Sequence, residues 1–164
     1  MRLFWVYTPL LAAAVVWNLR EGTAPWLWAA ALAAGLAVWT LLEYLIHRYV
    51  FHRIAPHRLH HEQPTELRYL FAPLWLSLSF AAALWALLAL ATASWRLAAL
   101  VETGTVAGYL GYELLHVWIH SPRPGGRVLV ALRRHHYYHH FADDTKCYGV
   151  VTPFWDRIFG SLPR

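Results

Sequence analysis

The sequence predicts an all-α integral membrane protein: a four-helix transmembrane bundle with a cytoplasmic, histidine-rich di-metal cap. Three observations carry that prediction. Four apolar stretches are each long enough to cross a bilayer. Only 14% of the 164 residues are charged, against 59% apolar. All eleven histidines fall in two short windows. An ordinary soluble domain carries about a quarter charged residues. The composition therefore argues against a disordered chain and against a soluble globular domain. The length suits one domain, 1–164. A single cysteine, Cys147, excludes an intrachain disulfide framework and a cysteine-based zinc fold.

The first stretch runs from Leu3 to Leu19, the second from Pro25 to Ile46, the third from Tyr69 to Ala91 and the fourth from Leu97 to Ile119. Each is near the ~20 residues that span a ~30 Å hydrocarbon core. They read as helices, because only helices and closed barrels satisfy every backbone group in lipid. Barrel strands would alternate every second residue, and these stretches do not. Gly22 interrupts the chain between the first two, and Pro25 suits the first turn of the second. Only Thr92 to Arg96 separate the third and fourth, which reads as a tight helical hairpin. Met1-Arg2 ahead of an apolar run also resembles a cleavable signal peptide. Removing it would leave three spans with the two chain ends on opposite sides, so it is taken as the first span.

Orientation follows from the basic residues. Arg2, Arg48, Arg53, Arg58 and Arg68 lie at the N-terminus and in the second loop. Arg123, Arg127, Arg133, Arg134, Lys146, Arg157 and Arg164 lie in the tail. Only Arg20 and Arg96 fall on the other side. The positive-inside rule then places both termini and the second loop in the cytoplasm, as expected in a bacterial inner membrane. The net charge of +5 reads the same way, with no nucleic acid implied. Trp5, Tyr7, Trp26, Trp28, Tyr69, Trp95 and Trp118 sit near span ends and read as an interfacial aromatic belt.

The histidine windows carry the chemistry. His57, His60 and His61 form one H-x-x-H-H motif, and His136, His139 and His140 form a second. On a helix, i, i+3 and i+4 share a face, so each motif is expected to present three imidazoles toward one point. His116 and His120 are i, i+4 at the end of a span. His47 and His52 are i, i+5, which requires local unwinding. A lone histidine in an apolar segment is ordinarily a hydrogen-bonded core residue. Two triads and two pairs on one membrane face are not, because polar groups near hydrocarbon are costly and mark function. Ten imidazoles are too many for one metal and fit two ions with four or five ligands each. Imidazole suits iron, zinc, copper and nickel, and softness does not choose among them. A bis-histidine haem electron carrier would leave the repeated triads unexplained; a zinc-binding membrane protein would exchange metal without consuming oxygen.

Metal-bound histidines ordinarily donate their second N–H to a carboxylate or carbonyl. Glu43, Glu113, Asp143 and Asp144 are the candidates. Glu43 and Glu113 lie in apolar helices, where an unpartnered carboxylate is expensive. Asp143 and Asp144, like Glu62, read equally well as solvated loop charges.

Spacing and order together make the sequence similar to the fatty acid hydroxylase superfamily, integral-membrane di-iron enzymes that include sterol desaturases and fatty acid 2-hydroxylases. The family order H-x4-H, H-x-x-H-H, H-x3-H, H-x-x-H-H is matched by His47/His52, His57/His60/His61, His116/His120 and His136/His139/His140. The likeness covers residues 40 to 160. The segments Glu43 to His52 and Gly111 to His116 resemble the hydroxylase branch. The tail Tyr148 to Gly160 resembles the family's terminal Gly-Val-Thr…Trp-Asp-x-x-Phe-Gly signature. Carotenoid hydroxylases space the third pair H-x4-H, so H-x3-H favours the fatty acid branch. Glu113 stands where the 2-hydroxylases usually have Asp, and Pro153 where Ser is common. His135 lies outside the pattern.

The resemblance implies that the ten histidines hold two Fe ions, which zinc can replace during overexpression, with O2 as co-substrate. It implies a lipid substrate entering from the bilayer, a fatty acyl chain first, with a carotenoid or sterol as the in-family alternative. The reaction implied is hydroxylation of an unactivated C–H bond, or desaturation if a second hydrogen is lost. No catalytic side chain is expected beyond the metal centre. No cytochrome b5-like domain lies within these residues, so electrons are expected from an external donor: a ferredoxin, or a cytochrome b5 type with its reductase. Arg123, Arg127, Arg133 and Arg134 suit an acidic donor or phosphate headgroups, beside their plain positive-inside reading. Phe154, Trp155, Ile158 and Phe159 suggest a tail element lying on the membrane or capping the site.

Overall fold

The computed structural model describes residues 2–122 and 125–163, and among them the secondary structure is helical throughout. Arg123 and Arg164, two of the basic residues behind the expected orientation, lie outside the described residues, as does the side chain of Arg2. Eight α-helices follow in order: α1 (Arg2–Arg20), α2 (Pro25–Tyr49), α3 (Ala55–Glu62), α4 (Leu67–Leu70), α5 (Leu74–Thr92), α6 (Trp95–His120), α7 (Arg127–Phe141) and α8 (Phe154–Ile158). A single 3₁₀ turn, Phe51–Arg53, follows α2.

Three described stretches are long and apolar enough to cross a membrane: Leu3–Arg20, Pro25–Arg53 and Leu67–Thr92. The fourth expected span, α6, has the length, 26 residues. Its Glu102, Thr103, Thr105, Glu113, His116 and His120 leave it short of the apolarity of the other three. Three of the four expected spans thus have the apolarity of a membrane crossing, and the fourth, α6, is a helix of the expected length with more polar residues. The physical reason lies in burial. Thr103, Thr105, Glu113, His116 and His120 are all buried in protein, and a helix turned inward need not be apolar all round. In contrast, α5 buries none of its residues. The third stretch is interrupted by a break between two helices. Pro73 disfavours helix at the residue before it, so the short α4 ends at Leu70 and α5 starts at Leu74. The hairpin between α5 and α6 is as tight as predicted. Ala93 adopts φ 50°, and the Ser94 hydroxyl accepts from Leu97 N–H at 3.2 Å to cap α6.

The chain forms two compact units, 1–39 with 73–110, and 40–72 with 111–164. In the first, α2 and α6 meet backbone to backbone. A Cβ on Gly35 would lie 2.1 Å from the Val101 carbonyl oxygen, and one on Gly104 2.5 Å from that of Leu32. The Thr105 hydroxyl donates to the Gly35 carbonyl at 3.2 Å across this contact. Small residues at helix contacts let backbones approach where no hydrophobic force drives association. Gly104→Leu is expected to cost about 3 kcal/mol by overpacking, read as a lowered melting midpoint of detergent-purified protein. Gly111→Ala is the control, because a Cβ there meets nothing within 4 Å.

The second unit carries all ten motif histidines. Regular helix stops at Tyr49, and His52 sits in the 3₁₀ turn, which is the unwinding that the i, i+5 spacing demands. Pro56 stands in the first turn of α3, where its missing N–H is not needed. The last turns of α7 carry His136, His139 and His140. Beyond Phe141 the chain runs irregularly to α8, with Cys147 at φ 57°.

Candidate metal centre

The ten histidines form two groups of five. His47, His52, His57, His61 and His139 make the first; His60, His116, His120, His136 and His140 make the second. Within each group one nitrogen per ring lies within 4.8 Å of every other. In the first, His57 Nε2 is 3.1 Å from His47 Nε2 and 3.2 Å from His61 Nε2, and His52 Nε2 is 3.1 Å from His139 Nε2. In the second, His136 Nε2 is 3.2 Å from His116 Nε2 and 2.9 Å from His120 Nε2. The groups adjoin, with the His61 and His140 rings stacked at 4.2 Å between centroids.

Each H-x-x-H-H motif is divided between the two groups. His57 and His61 serve the first and His60 the second; His136 and His140 serve the second and His139 the first. The expectation that each triad points at one spot gives way to helix geometry. At 100° per residue, i and i+4 lie about 40° apart, while i+3 lies about 60° to the other side of i. One triad thus straddles two neighbouring points.

The outer nitrogens are held by backbone carbonyls. His47 Nδ1 pairs with Tyr148 O at 2.5 Å, His139 Nδ1 with Lys146 O at 2.6 Å and His116 Nδ1 with Leu70 O at 3.3 Å. A carbonyl only accepts, so each of these nitrogens donates. The neutral ring then turns a bare Nε2 lone pair inward. Burial, with the neighbouring imidazoles second, lowers the pKa of the loop and α7 histidines. His60 falls to about 3, His61 to about 4 and His139 to about 3. His57, His136 and His140 are lowered in the same direction for the same reasons. The rings are therefore neutral at physiological pH, the state in which imidazole binds metal.

This donor set fits metal ions. Both ring nitrogens of His60 and of His140, and Nδ1 of His136, are buried with no hydrogen-bond partner among the described residues. His136 Nε2 also faces both His116 Nε2 and His120 Nε2, and a single ring N–H serves only one of these two contacts. A cation at the centre of each group would take one nitrogen from each ring.

The candidate carboxylates occupy different places. Glu43, buried, accepts from the backbone N–H groups of Val150 and Val151. Glu113, buried, accepts from Ala72 N–H at 3.4 Å. Asp143 accepts from the N–H and hydroxyl of Thr145 at 2.9 and 2.6 Å, and Asp144 is exposed. Asp143, Asp144 and Glu62 line an open cavity of about 490 Å³ together with His61 and His140, one histidine from each group. Arg127 and Arg134 are exposed, whereas Arg133 donates from Nε to Ile119 O at 2.6 Å and lies over the Tyr137 ring.

Two residues of this unit were given no role by the sequence reading. Asp156 is fully buried and accepts from Tyr148 N–H at 2.8 Å, Gly149 N–H at 2.9 Å and the Ser161 hydroxyl at 2.7 Å. His135, outside the motif pattern, reaches it at 3.0 Å from Nε2. Burial alone would raise the Asp156 carboxyl; His135, Ser161 and the two amides outweigh it and hold the pKa below the usual value. The signals available were an acid inside the apolar run Phe154 to Phe159 and a histidine with no place in the motifs.

A family model described as fatty acid hydroxylase matches residues 32–161. A dihydroceramide fatty acyl 2-hydroxylase of Arabidopsis thaliana is 33% identical over 153 residues, covering 80% of this chain and 60% of the relative. A ceramide very long chain fatty acid hydroxylase of Schizosaccharomyces pombe is 32% identical over 141 residues, covering 77% of this chain and 40% of the relative. This chain thus spans between two-fifths and three-fifths of the length of these two curated relatives. Among solved structures, full-length scs7p, of which only the hydroxylase domain is visible, shares the fold with a TM-score of 0.86 at 24% identity. That match covers 99% of this chain and 66% of the other.

Proposed function

The chain belongs to the fatty acid hydroxylase family, and on that premise we propose that it is a membrane-bound di-iron oxygenase that hydroxylates an unactivated C–H bond of a lipid, a fatty acyl chain, with O2 and external electrons. The observation that carries this reading is the pair of five-histidine groups, each aiming neutral ring nitrogens at one point. His47, His52, His57, His61 and His139 would hold one ion; His60, His116, His120, His136 and His140 would hold the other. Five imidazoles exceed the four ligands of a closed zinc site, which favours iron with a position left for a small molecule. Iron bound there supplies activation of O2 and oxidation of the C–H bond; zinc taken up during overexpression would leave the protein inactive.

The chain's own residues bind, orient and exclude. The carbonyls of Tyr148, Lys146 and Leu70 keep a proton on Nδ1 of His47, His139 and His116 and so keep Nε2 free. Packing around His60, His136 and His139, all fully buried, keeps bulk water away. The apolar helices give an acyl chain a route from the bilayer. The relatives are named for fatty acyl groups of dihydroceramide and ceramide, which supports that substrate class here. We place both termini and the metal centre on the cytoplasmic side of a bacterial inner membrane. A ferredoxin or a cytochrome b5 type donor would dock there, and exposed Arg127 and Arg134 suit an acidic partner.

The test is lipid mass spectrometry on cells expressing the wild type beside cells expressing His139→Ala/His140→Ala, which removes one nitrogen from each group. The expected result is a lipid that gains one oxygen only with the wild type. Loss of two hydrogens instead would make the protein a desaturase. No difference, with iron and a donor supplied, would refute the reading.

A further inference from the structure

We infer that Asp156 is a positioning residue for one of the two metal sites and not for the other. The inference rests on the two-metal reading above. Two members of the first group, His47 and His139, have their outer nitrogens held by carbonyls two residues apart in one segment, Tyr148 O and Lys146 O. That segment has no regular secondary structure to hold it in place. It includes a non-glycine residue, Cys147, at φ 57°, a conformation that persists only when its surroundings enforce it.

Asp156 is what enforces it. Its Oδ1 accepts from Tyr148 N–H and the Ser161 hydroxyl, and its Oδ2 from Gly149 N–H. The amides of Tyr148 and Gly149 flank the carbonyl that receives His47. Gly149 leaves no room for an alternative: a Cβ there would sit 2.2 Å from Thr152 O and 2.9 Å from Asp156 Oδ2. Ser161 closes the loop from the other end, since Cys147 N–H donates to Ser161 O at 2.9 Å and Ser161 N–H to Asp156 O at 2.8 Å. His135 Nε2, 3.0 Å from Oδ2, ties the carboxylate to α7 beside His136 and His139. In the second group, among the described residues, the one outer nitrogen held by a carbonyl is that of His116, on Leu70 O, far along the chain from this segment. Asp156 therefore sets the ring tautomer and orientation of two ligands at one site and of none at the other.

The experiment measures bound iron on the purified full-length chain after anaerobic loading with iron(II), followed by release kinetics with a chelator. The wild type is expected to hold two ions per chain. Asp156→Asn, whose amide turns a donor toward donors, is expected to hold one. Ser161→Ala, a milder change, is expected to keep both but to speed release in one of two phases by about 10-fold, the scale on which outer partners of metal ligands act. His135→Gln, which retains a donor, is expected to behave as wild type, and His135→Ala to follow Ser161→Ala. Asp156→Asn that keeps both ions, or variants that lose both ions in step, would overturn the inference, since a merely structural role moves the two sites together. A wild type that does not hold two ions would overturn the two-metal reading instead.

Discussion

Exchanging His60 for alanine is expected to lower turnover by more than 100-fold and to remove one metal ion per chain. Outer partners of metal ligands alone are worth about 10- to 100-fold, and His60 stands closer than that. It is fully buried on α3, with its ring 4.7 Å from those of His116 and His120 and 4.6 Å from that of His140. Neither of its nitrogens has another partner among the described residues. The same fact gives the variant a second signature. A buried, unsatisfied polar group costs about 1–3 kcal/mol, so removing it offsets much of the cavity left behind. The metal-free variant should melt within a few degrees of the metal-free wild type. Bound iron and product formation, measured on one preparation, check the first expectation, and a melting curve checks the second. A variant with full activity would take His60 out of the ligand set.

The metal-free protein is expected to unfold in mild acid, well above the pH at which carboxylates usually govern. The sign follows from the direction of the shifts. His60, His61 and His139 have folded-state values of about 3, 4 and 3, below the ordinary 6.5. Above pH 6.5 they are neutral in both states and cost nothing. As the pH falls below 6.5 the unfolded chain takes up protons that the folded chain refuses. Stability is then lost down to the folded values, by about 1.4 kcal/mol per pH unit for each histidine. Three such groups alone give a slope of about 4 kcal/mol per pH unit, against a total stability of about 5–15 kcal/mol. His57, His136 and His140 add in the same direction. Circular dichroism of metal-free protein from pH 7.5 down should show the transition between about pH 6 and 4, and metal-loaded protein should lag behind it. A flat profile to pH 4 would show that these rings are not held neutral by burial.

Much of this architecture is legible in the residues. Pro25 starts α2 and the Thr92–Arg96 turn separates α5 from α6 as read, because breakers and apolar runs act locally. The third span was read as one helix, yet Pro73 splits it into α4 and α5, a local rule outweighed in that reading by the hydropathy of its neighbours. The polar content of α6 was visible in Glu102 and Glu113, but which polar residues turn inward depends on packing. The ten histidines were legible from spacing; their division was not, because it follows from two helices facing one another. The holders of His47, His139 and His116 left no trace at all, since a backbone carbonyl has no identity in the sequence. Asp156 and His135 fall between: both are odd residues for their surroundings, and only the folded tail shows why.

The bond between His47 and Tyr148 spans 101 positions of the chain, and that separation has a consequence for biosynthesis. Ribosomes add about 5–20 residues per second, so His47 is made several seconds before the carbonyl that orients it. For most of that interval the 3₁₀ turn and α3 already carry His52, His57 and His61, with His139 still to come. A nascent chain can gather loose imidazoles but cannot close the first group until the tail around Asp156 has emerged. Closure of the first group is therefore a late event, which waits for the residues from Lys146 to Ser161 to leave the ribosome.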